Sequence, residues 1–249
     1  VKVTLEELPA YMTGLEAVAE DAHQIFEGFD NIYLMQPLIR GQDTKEMLSK
    51  SAHVAEGSYY SQRQPHAVLE PDSVLAYKDE SGEYTVQSKS LLIHAAGVMF
   101  VMGLGLATVR IINNPVGASF GYSLSPNTMG YVVAACMAVD GFPVCLDLDY
   151  DEHTVITGKR APGFNNAKMA CDKDGKITAL EYELLYDHGA YADAACLLVE
   201  KGITFMGWPY FIPNVRGVDM CTCSNHAFTT AFRAFGSVQA YVAGEQVID

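Results

Sequence analysis

Gly117-Ala-Ser-Phe-Gly121 fits the pattern G-x-S-x-G, the sharp strand-to-helix turn that presents a serine nucleophile beside an oxyanion hole. His226, with Asp187 or Asp193, supplies the order serine, acid, histidine used by some hydrolases. The surroundings weigh against it. The β-branched run Thr108-Val-Arg-Ile-Ile112 stops early, Pro115 intervenes, and no helix can start before Pro126. Ser119 therefore lacks a strand directly before it and a helix directly after it, and a serine hydrolase is only a minor alternative. Asp172, Asp174, Gly175, Ile177 and Glu181 match five positions of a calcium loop, but its first position is Ala170 and its flanks are strand-like. A hairpin turn is expected there, with no calcium. Six cysteines, at 136, 145, 171, 196, 221 and 223, contain no C-x-x-C pair and are too sparse for a disulfide framework. Cys221 and Cys223 are expected to share one buried strand face rather than hold a metal. Inert thiols point to a reducing, cytoplasmic setting.

The elements that must position such residues read as α+β, with mixed sheets and packed helices. Apolar residues make up 49% of the 249 and charged ones 18%, a balance that supports dense packing. Sixteen basic against thirty acidic residues leave a net charge of −14, so phosphate backbones and anionic lipid surfaces are repelled and nucleic-acid or membrane partners are disfavoured. The uncharged run Leu91–Val109 is long enough to suggest a membrane span. Gly97, Gly103, Gly105 and His94 argue instead for a buried helix, a glycine turn and a strand. The same helix, break and strand recurs over Thr128–Leu148, broken at Gly141 and Pro143.

Val1–Leu5 alternates like a strand, Leu15–Ala22 has helical spacing, and residues 28–50 carry no firm periodicity. A boundary is therefore expected near residue 45: residues 1–44 as the tail of a preceding domain with a connecting segment, and 45–249 as the main domain. Strand-like runs at His53–Gln62, Ala67–Tyr77 and Tyr84–Ser88 predict a small meander. Ala167–Tyr186 predicts a hairpin turning at Asp172–Gly175, and Val199–Met206 a short helix. The opening residues carry no secretion leader, as an excised internal fragment would. The long glycine-rich linker 113–126 is where a site would sit on a rigid scaffold.

Six dispersed motifs occur in order: Arg63-Gln-Pro-His-Ala-Val-Leu-Glu-Pro71, Asn114-Pro-Val-Gly-Ala-Ser-Phe-Gly121, Thr157-Gly-Lys-Arg-Ala-Pro162, Asp187-His-Gly-Ala-Tyr191, Ile212-Pro-Asn-Val-Arg-Gly217 and Ala231-Phe-Arg-Ala-Phe-Gly236. Together they resemble the molybdenum hydroxylase family of xanthine oxidase and aldehyde oxidoreductase, in the N-terminal part of its molybdopterin-binding domain. The likeness is strongest to single-chain molybdenum aldehyde oxidoreductases and extends back through Val1–Ala10. It implies a molybdenum-dependent oxidation of aldehydes, or of N-heteroaromatic rings, with water as the oxygen source. It also implies molybdenum–molybdopterin as cofactor, with iron–sulfur clusters on other domains or subunits.

The resemblance implies a role for particular residues. Gln64 matches the glutamine whose amide hydrogen-bonds a terminal ligand on molybdenum. Phe120 and Gly121 match the bend whose backbone passes under the metal's ligands. Arg233 matches an arginine facing the anionic cofactor. Gln64, Phe120 and Arg233 thus surround the metal without bonding to it. Phe235 matches an aromatic wall of the substrate channel, and Lys201 stands where relatives carry an arginine near the substrate. Ala118 and Ala234 replace common glycines, and Ser123 and Leu124 replace polar residues typical of purine-oxidising members, which favours aldehydes. The family's general-base glutamate falls in a later segment outside this sequence, so no catalytic residue is assigned here and the chain alone should be inactive. The implied partners are the remaining molybdenum-domain segment, iron–sulfur domains or subunits, a small-molecule substrate and, in a homo-oligomer, a second copy. The competing reading is a degenerate binding or assembly subunit whose alanines have closed the site.

Overall fold

A computed structural model describes residues 2–126, 128–207 and 209–249. The chain divides into two compact units, one made of Val1–Arg63, Ala161–Thr229 and Ala234–Asp249 and the other of Gln64–Arg160 and Thr230–Arg233.

The first unit holds helix α1 (Gly14–Ala17), strand β1 (Ile32–Arg40), helix α2 (Thr44–Lys50) and strand β2 (His53–Ser61). After the second unit's span come β7 (Gly163–Cys171), β8 (Ile177–Asp187), α6 (Ala195–Phe205), β9 (Val215–Thr222) and α7 (Ser237–Ile248). Its five-stranded sheet runs β1-β9-β8-β7-β2. β7 and β8 pair antiparallel, as the hairpin pattern predicts, and the turn is fixed by Asp172 Oδ1, which accepts the N–H groups of Asp174 and Lys176 at 2.9 Å each. β8 and β9 are parallel, so the chain must cross over between them, and α6 is that crossover. α6 and α7 cover one sheet face. Leu180, Leu184, Leu198, Val199 and Tyr186 are removed from water there, each large aliphatic side chain contributing about 1.5–3 kcal/mol relative to exposure.

The second unit holds β3 (Ser73–Lys78), β4 (Tyr84–Lys89), α3 (Ile93–Leu104), β5 (Arg110–Asn114), a 3-10 turn at Tyr122–Leu124, α4 (Met129–Ala138), β6 (Val144–Asp147) and α5 (Tyr150–Ile156). Its sheet runs β5-β4-β3-β6. β4 and β5 are parallel and joined through α3, while both other pairings are antiparallel. Gly105 ends α3 in the left-handed region at φ 66°, where a Cβ would be strained. Val74, Ala76, Val86, Phe100, Met129, Val132 and Val133 form this unit's separate core.

Four expectations need correction. Residues 28–50 are not a connecting segment, because Ile32–Arg40 is a sheet strand paired antiparallel with β9 from end to end. Pro37 hid it, yet a proline is tolerated because β1 is an edge strand and need not donate on its open side. The chain passes between the compact units after Arg63 and after Arg160. The three-strand meander does not form either, since β2 belongs to the first unit's sheet and β3 to the second's. Alternation in residues 2–5 finds no strand partner and stays exposed, Val1 lying outside the described residues. Helix α3 has the expected glycine end but is one-sided: Ala96 and Phe100 are buried while Val98, Met99 and Met102 are exposed. Elsewhere element ends shift. α1 stops at Ala17, α6 starts at Ala195, and β3 starts only at Ser73, because Pro71 and the positive φ of Ala67 keep the preceding stretch out of the sheet.

Candidate functional site

In the second unit three sequence-distant segments meet through their backbones. The Arg160 N–H donates to the Gln64 carbonyl at 2.8 Å, forming an isolated antiparallel bridge. The Arg160 guanidinium then donates from Nη2 to the Arg233 carbonyl at 2.8 Å. The Arg233 N–H donates in turn to the Phe120 carbonyl at 2.7 Å. Gln64, Arg233 and Phe120 thus hang from one hydrogen-bonded frame, while their side chains are exposed. Neither the Gln64 amide nor the Arg233 guanidinium has a hydrogen bond or ion pair among the described residues. Their backbones are fixed and their polar ends are free for a ligand.

The bend at Phe120–Gly121 is built from unusual backbone. Phe120 has φ 54° and Gly121 φ 108°, and a Cβ on Gly121 would stand 2.9 Å from the Ala231 carbonyl oxygen. Glycine is required there by both conformation and space. The substituted alanines differ from one another: Ala234 takes φ 61°, whereas Ala118 is not among the positive-φ positions.

Acidic groups anchor the loop from behind. Glu70 Oε2 accepts the N–H groups of Gly117 at 2.6 Å and Ala118 at 3.0 Å. Two residues on, Asp72 Oδ2 accepts the Tyr122 hydroxyl at 2.6 Å and the Thr128 hydroxyl at 2.9 Å. The buried Lys89 ammonium lies 3.4 Å from Glu70 Oε2 and 3.8 Å from Asp72 Oδ1, and also donates to the Pro71 carbonyl at 3.0 Å. Burial would raise the Glu70 carboxyl, but the Ala118 N–H, the Lys89 charge and the Gly117 N–H outweigh it and hold the group below its ordinary range. Burial and the Asp72 charge push the Tyr122 phenol far above its ordinary value, so it stays a donor.

A cationic and aromatic stack lies beside the frame. Phe232 carries the Arg160 guanidinium 4.1 Å from its ring centre and the His66 imidazole at 4.3 Å between centroids. Burial depresses the His66 pKa to about 4. The ring is therefore neutral at pH 7, and with a carbonyl as its partner it must donate from Nε2 to Ala231 O at 2.8 Å. Burial also lowers the Arg160 guanidinium, whose Nε and Nη1 are buried without a partner.

Phe235 and Lys201 lie in the first unit. Phe235 is half-buried against that unit's core. Gly236 follows at φ 78°, where a Cβ would come 2.5 Å from the Leu198 carbonyl and 3.1 Å from the Lys201 Cβ. That close approach brings the Phe235 segment onto α6 next to Lys201. Lys201 is exposed, with its ammonium 3.6 Å from Glu200.

The other chemistries find no support. Ser119 Oγ accepts the N–H groups of Gly121 and Ser123 at 3.1 Å each, a local turn role. Asp187 accepts from Gly14, Gly189 and Ser224 rather than from a histidine. Cys221 and Cys223 are buried free thiols, and no group of three or more histidine, cysteine or acidic residues among the described residues could hold a metal. Sequence reasoning passed over Arg160, Glu70, Asp72 and Lys89. Arg160 and Glu70 sat inside quoted motifs, and a charged residue among apolar and proline neighbours was the available signal.

The family model described as "Molybdopterin cofactor-binding domain" matches residues 25–249. An aldehyde oxidoreductase of Megalodesulfovibrio gigas is 41% identical over 251 residues, covering 100% of this chain and 28% of the relative. The nicotinate dehydrogenase large molybdopterin subunit of Eubacterium barkeri is 29% identical over 98% of this chain and 57% of its own length. The solved structure of aldehyde oxidoreductase from Desulfovibrio gigas superposes with a TM-score of 0.93 at 40% identity, over 98% of this chain and 27% of that one. The chain spans about a quarter to a little over half of these relatives, and it belongs to the molybdopterin cofactor-binding domain family.

Proposed function

We propose that this chain forms one wall of the molybdenum site of a molybdenum hydroxylase that oxidises aldehydes. The observation that carries the reading is the backbone frame joining Gln64, Arg160, Arg233 and Phe120. The cofactor fits what the residues offer. The Gly121 bend leaves bare backbone at its tightest point, and Gln64 and Arg233 keep unused donors. Arg160 is a buried cation without an ion pair among the described residues, in a chain whose net charge is −14. An anionic group seated here would be met by the Arg233 guanidinium, by the Gln64 amide and by peptide groups at Phe120–Gly121.

Molybdenum–molybdopterin, when bound, supplies the two-electron oxidation and the oxygen from water. This chain's residues bind and orient. Gln64 donates from its amide to an electron-rich oxygen ligand, and Arg233 offers a fixed fork to an anion. Phe120 would limit water at this wall. In the first unit, taken by itself, Phe235 is an apolar face of the kind a small aldehyde packs against, with Lys201 on the neighbouring helix. Iron–sulfur clusters and the general base belong to other segments or subunits in this reading. Six free thiols are in keeping with a reducing compartment, and no described helix is long and apolar enough to cross a membrane.

The test is elemental and pterin analysis of the full-length protein, followed by aldehyde oxidation with an artificial electron acceptor. About one molybdenum and one pterin per copy are expected, with aldehydes oxidised faster than purines. A folded full-length protein free of both would overturn the reading and favour a degenerate assembly subunit.

A further inference from the structure

We propose that Arg160 is the positioning residue of this wall: one side chain and its own peptide hold the Gln64 and Arg233 segments in register for the cofactor. The inference rests on the molybdenum-site reading. His66 joins the two segments directly through Ala231 O at 2.8 Å, but Arg160 is the only described residue that hydrogen-bonds Gln64 and Arg233 themselves, through its N–H to the Gln64 carbonyl and through Nη2 to the Arg233 carbonyl, each at 2.8 Å. The second bond holds the Arg233–Ala234 peptide, across the Arg233 Cα from the peptide whose N–H reaches the Phe120 carbonyl, so both sides of Arg233 are tied and the bend is held through it.

The chemistry requires arginine. A lysine ammonium is a point charge that cannot both lie flat over Phe232 at 4.1 Å and direct a planar donor to Arg233. The location is also costly. Arg160 is 7% exposed, its Nε and Nη1 have no acceptor, and no carboxylate of the described residues pairs with it. A buried guanidinium left in that state is unfavourable until negative charge arrives. Arg160 therefore couples the anion to the geometry: the group that neutralises the cation is the one that Gln64, Phe120 and Arg233 are aligned to receive.

The experiment uses the full-length protein as isolated, with R160Q and R160K compared with wild type and with a Tyr182→Phe control, which disturbs a buried hydrogen bond in the other unit. Molybdenum and pterin per copy of monodisperse, folded protein are measured first, then the rate of pterin release in mild urea. R160Q is expected to hold about tenfold less cofactor or to release it about tenfold faster, a change of the size expected for one charge-assisted hydrogen bond. R160K, which keeps the charge and the stem, should fall between R160Q and wild type, and Y182F should match wild type at equal thermal stability loss. Wild-type retention in both Arg160 variants overturns the positioning role. Equal loss in Y182F shows an effect of stability alone and overturns it too. Absence of molybdenum and pterin from wild type instead sinks the reading on which the inference rests.

Discussion

In each unit a buried carboxylate accepts two hydroxyl donors, and Asp219 in the first and Asp72 in the second do so differently. In the first unit, Asp219 accepts the Tyr182 hydroxyl at 2.7 Å and the Tyr186 hydroxyl at 3.0 Å and pairs with no cation among the described residues. Burial, opposed by both tyrosine hydrogen bonds, leaves its pKa raised to about 6. Gly202 on α6 makes room for the cluster, since a Cβ there would strike the Tyr186 hydroxyl. In the second unit, Asp72 takes the Tyr122 and Thr128 hydroxyls but also faces the Lys89 ammonium at 3.8 Å, with Glu70 on the same cation. Neutral donors suffice where the carboxylate ties strand to strand inside a core. A cation is added where acids anchor an irregular loop whose backbone is bent for a ligand. Lys89 helps to hold the Glu70 carboxyl below its ordinary range while Glu70 binds the loop's N–H groups and Asp72 its hydroxyls.

The largest expected effect tests the cation's importance. Asp72→Asn leaves Lys89 buried with Glu70 alone and should cost about 3 kcal/mol, the lower end for breaking a buried ion pair. Asp219→Asn keeps an acceptor for the tyrosines and frees no cation, so about 1 kcal/mol is expected at pH 7. Urea midpoints of the two variants measure the contrast, and equal losses would erase the distinction.

Titration separates the units next. Asp219 has a folded pKa near 6, above the ordinary 3.8, so its stabilising contribution is complete below pH 3.8 and is lost as pH rises to 6. His66 in the second unit and His188 in the first both sit near 4, below the ordinary 6.5, chiefly through burial. Their contribution is complete above pH 6.5 and is lost as pH falls toward 4. Over pH 4–6.5 the slopes oppose. Asp219→Asn removes one of them, so the variant should lose about 1–3 kcal/mol more than wild type between pH 6.5 and 4. Denaturation at several pH values reads this directly, and parallel wild-type and variant curves would contradict the assignment.

The hairpin β7–β8 and the repeated helix-to-strand units were legible because their patterns and turn residues are local. Asp172 closes its turn with its own carboxylate, and Gly105 ends α3 by its backbone alone. β1 was hidden because Pro37 breaks the pattern and only the distant β9 supplies its partner. Alternation in residues 2–5 misled for the converse reason, since a period of two makes no strand without a sheet to join. At the candidate site, Gln64, Phe120 and Arg233 could be named from motifs. Arg160, Glu70 and Asp72 could not be assigned roles, because the first two act on peptide groups 73 and 47 residues away and Asp72 on a tyrosine hydroxyl 50 residues away. A carbonyl or N–H belongs to every residue alike, so the sequence marks the donor and leaves its target to the fold.

The smallest effect emerges from comparing two positive-φ positions, one in each unit. Gly121 at φ 108° has no space for a Cβ, which would lie 2.9 Å from the Ala231 carbonyl, so Gly121→Ala should cost about 2 kcal/mol and displace the Phe120 bend. Ala234 already carries a Cβ at φ 61°. The left-handed region costs an alanine about 1 kcal/mol relative to glycine, while glycine frees the unfolded chain by about 0.4–1 kcal/mol in the opposite sense. The terms nearly cancel, and Ala234→Gly should change stability by less than about 0.5 kcal/mol. A near-zero shift in the urea midpoint, with cofactor content unchanged, would mean that the alanine is accommodated and that a glycine is needed only where the backbone touches. A gain above about 1 kcal/mol would instead mean that Ala234 stores strain next to Arg233, and it would move the weak point of the wall from the Gly121 bend to the arginine that follows Phe232.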